Sequence, residues 1–77
     1  MSRAILWTPT ALWAFYRLSP STAMVVDRAV IRFAETGEGE LTWNAPHHRL
    51  RAGQHALELA IDRKDGSICV LRIFRVR

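Results

Sequence analysis

The sequence lacks several features that define common functional classes. Its single cysteine, Cys69, cannot form an internal disulfide, which favours a reducing compartment. No Cys/His spacing typical of a zinc site and no glycine-rich phosphate loop is present. No apolar run approaches the roughly 20 residues of a membrane-spanning helix, and residues 1–6 lack the long apolar stretch of a signal peptide. These absences predict a cytoplasmic protein without metal, cofactor, membrane association or small-molecule substrate.

Acidic residues are scarce in the second half of the chain. Residues 1–46 hold four arginines and four acidic residues, so their formal charges cancel. Residues 47–77 hold six arginines and one lysine against three acidic residues, which accounts for the whole net charge of +4. A basic half beside a neutral half indicates a surface for an anionic partner, either nucleic acid or an acidic protein. The alternative is a charge surplus that only aids solubility.

The length of 77 residues and the hydrophobic content of 49% predict one domain, residues 1–77, with a small core. Thr8-Pro9 and Ser19-Pro20 each place a hydroxyl cap before a proline at the first helical position. They predict a helix that stops near Ser19 and a longer helix from Pro20 to about Thr36. Gly37 is expected to end the second helix.

Apolar residues at period two predict strands in the rest of the chain. The predicted strands are residues 3–7, 47–52, 55–61 and 67–77, with a possible short strand at 41–43. The last strand is expected to turn Cys69, Leu71 and Ile73 toward the core. Only the two helices are available to cover one face of the sheet. The predicted fold is therefore α+β, in the order β-α-α-β-β-β, with a helical hairpin on an antiparallel sheet of three to four strands.

The alternation also predicts what the uncovered face of the sheet carries, namely Arg49, Arg51, Glu58, Arg72 and Phe74. Among the tryptophans, Trp7 and Trp13 are expected in the core, whereas Trp43 near the loop is expected to be exposed. An exposed indole can stack on a nucleobase.

Two stretches resemble the RelE/ParE toxin superfamily. ILWTPTALWAFYRL is similar to the family's opening strand and helix. HHRLRAGQHALELAIDRKDGSICVLRIFRVR is similar to its arginine-rich strand, the following hairpin and the final strand. The resemblance implies a toxin of a type II toxin–antitoxin system, neutralised by a cognate antitoxin. In that family some members cleave messenger RNA on the ribosome and others poison DNA gyrase.

The sequence departs from the family pattern at positions that matter for catalysis. Where RNA-cleaving relatives carry a catalytic arginine, this chain has Ala56, and His55 replaces the aromatic residue before it. The C-terminal cluster reads Arg75-Val76-Arg77, and no tyrosine follows it. The alternative to a nuclease is therefore a non-catalytic binding module of the same fold, acting on gyrase, an acidic protein or nucleic acid.

Metal-independent RNA cleavage needs cations on the phosphate and groups that move protons. Arg49, Arg51 and His48 are the candidate catalytic residues. The candidates for contact with RNA or a partner are Arg49, Arg51, Arg72, Arg75, Arg77 and His47. The alternatives are that His47 and His48 are a solvated pair at a loop edge and that Arg72 only pairs with Glu58 across strands. Arg75 and Arg77 can also be a solvated tail.

Overall fold

The structure is a computed structural model that describes residues 3–76. Two helices follow a short first strand, and four further strands complete the chain. The elements are β1 (Ile5–Trp7), α1 (Pro9–Tyr16), α2 (Pro20–Thr36), β2 (Glu40–Asn44), β3 (His47–Ala52), β4 (His55–Ile61) and β5 (Ile68–Arg75). The predicted α+β class and element order are confirmed.

Both helices begin at the predicted Thr/Ser-Pro caps. The Thr8 hydroxyl accepts the backbone N–H of Ala11 at 3.1 Å, and the Ser19 hydroxyl accepts that of Thr22 at 3.4 Å. Helix α2 ends at Thr36, where Gly37 adopts the left-handed conformation with φ of 75°. That conformation favours glycine because a Cβ would be strained there. Helix α1 is shorter than predicted and ends at Tyr16.

The sheet has five strands in the order β1-β5-β4-β3-β2. The last four strands in the chain form antiparallel neighbours, as predicted. Strand β1 instead pairs in parallel with β5, with Ile5 opposite Ile68 and Trp7 opposite Val70. The sheet is therefore mixed and larger than the predicted antiparallel sheet of three to four strands. Between these two paired strands the chain forms both helices and the other three strands.

The core lies between one face of the sheet and the helices. Helix α1 packs on β5, and α2 packs on β3. The largest fully buried side chains are Leu50, Leu57, Leu59, Ile68, Val26, Val30 and Val70. Trp13 was expected in this core, but 68% of its surface is exposed. Trp13 lies two positions, or about 200° around the helix, from the buried Ala11, so it points away from the sheet.

A β-bulge in β5 changes which residues face the core. Leu59 lies opposite Val70 and Glu58 lies opposite Arg72, so Leu71 has no partner position on β4. Before the bulge, Ile68 and Val70 are the buried residues, and the prediction that Cys69 and Leu71 face the core is wrong. The extra residue reverses the alternation. As a result Ile73 packs against the core, as predicted.

Thr8 connects this bulge to helix α1. Its hydroxyl, which caps the helix, also donates a hydrogen bond to the carbonyl oxygen of Leu71 at 2.8 Å. Its backbone N–H donates to the carbonyl oxygen of Val70 at 3.0 Å. Thr8 thus supplies hydrogen-bond partners both for a backbone N–H in the first turn of α1 and for two backbone carbonyl groups at the bulge.

Replacing Thr8 with Val should destabilise the protein by about 2 kcal/mol, because the isosteric side chain removes both hydroxyl hydrogen bonds. Thr8→Ser keeps the hydroxyl and should lose less than about half of that. The measurement is the urea midpoint at constant slope. Equal stability of the Val and Ser variants would show that the hydroxyl does not hold the bulge.

Candidate functional site

The sheet face opposite the helices carries Arg49, Arg51 and Arg72, and we call it the arginine face. The strand register places Arg49 opposite Glu58, and Glu58 opposite Arg72. In the neighbouring row Arg51 lies opposite Ala56, and Ala56 lies opposite Phe74. Directly opposite residues of paired strands lie on the same face. The bulge is essential here, because an unbroken alternation after Val70 would turn Arg72 into the core.

An aromatic ring and an amide hold two of these arginines in place. The guanidinium carbons of Arg49 and Arg72 lie 4.8 and 5.3 Å from the centroid of the Phe74 ring, which is cation–π geometry. With the Asn44 amide turned to accept, its oxygen lies 3.0 and 2.8 Å from Nε and Nη2 of Arg49. Arg49 is therefore fixed by uncharged groups. Such groups leave its charge available to an anion.

Glu58 is the carboxylate at the centre of the arginine face. Its Oε1 lies 3.4 Å from Nε of Arg72 and 3.8 Å from Nδ1 of His47. The Glu58 side chain is 18% exposed. The predicted cross-strand pairing of Arg72 with Glu58 is thus observed. Glu58 offsets part of the positive charge and places the His47 imidazole beside the arginines.

A cleft of about 680 Å³ opens beside Arg51. Ala56, only 4% exposed, lines it together with Phe74, Arg49, Arg51 and Arg75. This volume lies within the range of about 300–1,000 Å³ that is typical of ligand sites. The Nε–H of Arg51 donates to the carbonyl oxygen of Gly53 at 2.6 Å, which orients that guanidinium. The small Ala56 side chain leaves room where a longer side chain would fill the cleft.

The structure brings some of the predicted site residues together and separates others. Arg49, Arg51, Arg72 and His47 share the arginine face, and Arg75 lies at its end, where it donates to Gln54 at 3.3 Å. His48 is on the other face, in edge-to-face contact with Trp43, so it does not meet Arg49 and Arg51. Arg77 lies outside the described residues. The strand alternation already implied that His48 and Arg49 point in opposite directions.

The sequence did not predict three contacts that build the arginine face. Phe74 was predicted on this face but without its contacts to Arg49 and Arg72, and Asn44 lies just beyond the possible strand at 41–43 and was assigned no role. The contact between His47 and Glu58 was also missed, because it depends on the pairing of β3 with β4. The pairing of β2 with β3 brings Asn44 beside the strand that carries Arg49. Predicting that pairing would have indicated the contact between Asn44 and Arg49.

Within residues 3–76 there is no cluster of three or more His, Cys, Asp or Glu side chains that could hold a metal ion. In the same part of the chain, no helix is long and apolar enough to cross a membrane.

Neither a protein-family model nor a curated protein matches the sequence. Solved structures do match the fold, among them the following three. The archaeal RelE–RelB complex from Pyrococcus horikoshii has a TM-score of 0.79 at 12% identity, covering 97% of this chain and 96% of that chain. The toxin–antitoxin complex RelBE2 from Mycobacterium tuberculosis has a TM-score of 0.67 at 20% identity, covering 97% and 99%.

A mutant of the E. coli toxin RelE in the free state has a TM-score of 0.75 at 14% identity, covering 97% of this chain and 84% of that chain. The three structures share the order and arrangement of elements along nearly the whole of this chain. The chain therefore has the fold of the RelE toxins.

If the arginine face binds anions, replacing Glu58 with Gln should strengthen binding of a polyanionic probe, a short single-stranded RNA, about two- to five-fold at low salt. The change removes a partly exposed carboxylate from among the arginines, and such charges contribute up to about 1 kcal/mol. Fluorescence anisotropy of a labelled oligonucleotide is the measurement. Glu38→Gln, which removes an equal charge near Arg32, is the matched control and should have no effect. Equal affinities for all three proteins would show that RNA does not contact the arginine face.

Proposed function

We propose that this chain is the toxin of a type II toxin–antitoxin pair and that its arginine face binds messenger RNA. The observation that carries the proposal is the combination of a RelE fold with three arginines and a histidine on one open face of the sheet. The relatives that share the fold are toxins or toxin–antitoxin complexes. The site of action is the cytoplasm, where ribosomes present messenger RNA.

Arginine suits this role because its planar guanidinium binds phosphate oxygens bidentately and stays charged. Arg49 and Arg51 alternate along β3, so their side chains lie two residues apart on the same face. Phe74 and Asn44 restrict Arg49, and Gly53 restricts Arg51. Less side-chain freedom is therefore lost when a phosphate binds.

The proposed reaction is metal-independent cleavage of the RNA strand. The 2′-hydroxyl gives its proton to His47, and its oxygen attacks the neighbouring phosphorus. The bond from phosphorus to the 5′-oxygen breaks, which leaves a 2′,3′-cyclic phosphate and a 5′-hydroxyl protonated by solvent water. Arg49 and Arg51 stabilise the charge that develops on the phosphate. Glu58 faces Nδ1 of His47, so Nε2 is the nitrogen that accepts the proton.

A cognate antitoxin is the proposed protein partner. Helix α1 exposes large apolar side chains on the side that faces away from the sheet, with Trp13 68% and Tyr16 71% exposed. Met24 and Ile31 of α2 are also exposed. Neighbouring exposed aromatic and aliphatic groups of this kind mark protein interaction surfaces. Two of the structural neighbours are complexes with such a partner.

A second candidate function is non-catalytic binding, with DNA gyrase or another protein as the target. Ala56 favours it, because the cleft beside Arg51 has a methyl group at the position where RNA-cleaving relatives are expected to carry a catalytic arginine. Without that cation, less charge is available to stabilise the transition state. The two candidates differ in product, since only the nuclease cuts transcripts inside reading frames.

Inducing the protein in a bacterial host should arrest growth and produce new 5′ ends inside messenger RNAs. Arg49→Ala combined with Arg51→Ala should abolish both effects, because the phosphate loses its two central cations. Arg17→Ala combined with Arg28→Ala removes the same charge from the exposed helical side and should leave both effects intact. Growth arrest with intact transcripts and blocked supercoiling would favour gyrase, and normal growth would refute the toxin proposal.

His47→Gln should reduce cleavage of ribosome-bound messenger RNA at least about 100-fold, the usual contribution of a proton-transfer group. His55→Gln is the matched control, since His55 lines a pocket with residues of α2 on the side of the sheet that the helices cover, and it should stay within about three-fold of the original chain. Single-turnover rates at saturating protein measure the difference. The assignment of the base to His47 fails if the two variants cleave at equal rates.

A further inference from the structure

A second cleft, of about 250 Å³, lies at the end of the sheet beyond the β2–β3 turn. We call it the Trp43 cleft, and its lining includes Trp43, Pro46, His48, Ile61 and Arg63. Trp43 is 63% exposed, although its ring contacts that of His48 edge-to-face with centroids 4.8 Å apart. The contact orients the indole and leaves most of its surface open.

The Trp43 cleft combines an aromatic surface with positive charge. Arg63 is exposed at its rim, and the imidazole rings of His47 and His48 also line it. None of the described residues that line it is acidic. Sites that bind single-stranded nucleic acid pair stacking aromatic rings with cations in this manner. A purely apolar protein partner would not require the arginine and the histidines.

The cleft is continuous with the arginine face through His47. That residue lines the Trp43 cleft and also contacts Glu58 among the arginines. On β2, Trp43 and Asn44 are consecutive, and Asn44 holds Arg49. Consecutive strand residues point to opposite faces, so an RNA strand on Arg49 reaches the Trp43 cleft by passing His47 and turning round the end of the sheet at the β2–β3 turn.

We propose that the Trp43 cleft binds one unpaired base of the RNA strand that occupies the arginine face, with the base stacked on Trp43 and an adjacent phosphate on Arg63. The inference rests on the proposed function, because it assumes that RNA binds the arginine face. The volume of the cleft is below the usual range for drug-sized ligands, which fits a single heterocycle. The role of Trp43 is to extend and orient the strand, whereas His47 remains the group that moves the proton.

Trp43→Ala should weaken binding of a labelled single-stranded RNA about 5- to 150-fold, as expected for the loss of one stacked base. Trp43→Phe keeps an aromatic ring and should recover most of the affinity. Trp13→Ala is the matched control, because Trp13 is equally exposed but lies on α1, away from the sheet end. It should bind RNA like the original chain.

Fluorescence supplies a readout that does not depend on affinity alone. A base stacked on Trp43 should quench part of the tryptophan emission when RNA is added, and that quenching should be absent from Trp43→Phe. A series of oligonucleotides, each lacking one base, locates the stacked position. When the missing base is the one that stacks on Trp43, Trp43→Ala and the original chain should bind the oligonucleotide with the same affinity.

The outcomes separate the inference from the proposed function. If RNA binding needs Arg49 and Arg51 but Trp43→Ala binds normally without any change in quenching, only the Trp43 cleft is refuted as a base site. If the original chain does not bind RNA through its arginines, the proposed function fails first. Loss of antitoxin binding in Trp43→Ala, with RNA binding intact, would identify the cleft as a protein contact and overturn the inference.

Discussion

The hydrogen bond from the Thr8 hydroxyl to the Leu71 carbonyl oxygen is the contact on which the site depends. It fixes the backbone where β5 gains an extra residue, and this bulge turns Arg72 and Phe74 toward the exposed face while Ile68 and Val70 stay buried. Phe74 then supports Arg49 on another strand. The residue that caps α1 is thus linked through β5, β4 and β3 to Arg72 and Arg49 on the far side of the sheet.

Charge on that face reflects a balance between stability and binding. Three arginines on neighbouring strands repel one another, and Glu58 reduces the repulsion through Arg72. Because Glu58 lies between Arg49 and Arg72, it also opposes an approaching phosphate. The Phe74 ring and the Asn44 amide stabilise the position of Arg49 without adding a negative charge that would repel a phosphate. The face is therefore basic where β3 passes and closer to neutral at its centre.

Local patterns in the sequence were enough for the elements but not for their long-range pairing. Two Thr/Ser-Pro caps and Gly37 defined α2 to the residue, and period-two alternation assigned β3 and β4 correctly. The bulge at Leu71 has no local signal, and its hydrogen-bond partner Thr8 lies 63 positions away in the sequence. The parallel pairing of β1 is equally non-local. The shared face of Arg49 and Arg51 was predicted from the sequence. The same alternation along β3 places His48 on the opposite face, although His48 was grouped with these arginines.

The arrangement of surfaces constrains how a partner can inhibit the proposed activity. The exposed aromatic side chains of α1 and the arginine face lie on opposite sides of the sheet, because the helices cover the core face. An antitoxin that covers only Trp13 and Tyr16 leaves the arginines open to RNA. One route to them passes an edge strand, either β1 or β2. Strand β2 is the longer edge and carries Asn44 and Trp43, so a segment there would reach both the arginine face and the Trp43 cleft. Acidic residues in that segment would add to its affinity, since the surface it meets carries the positive charge of the chain.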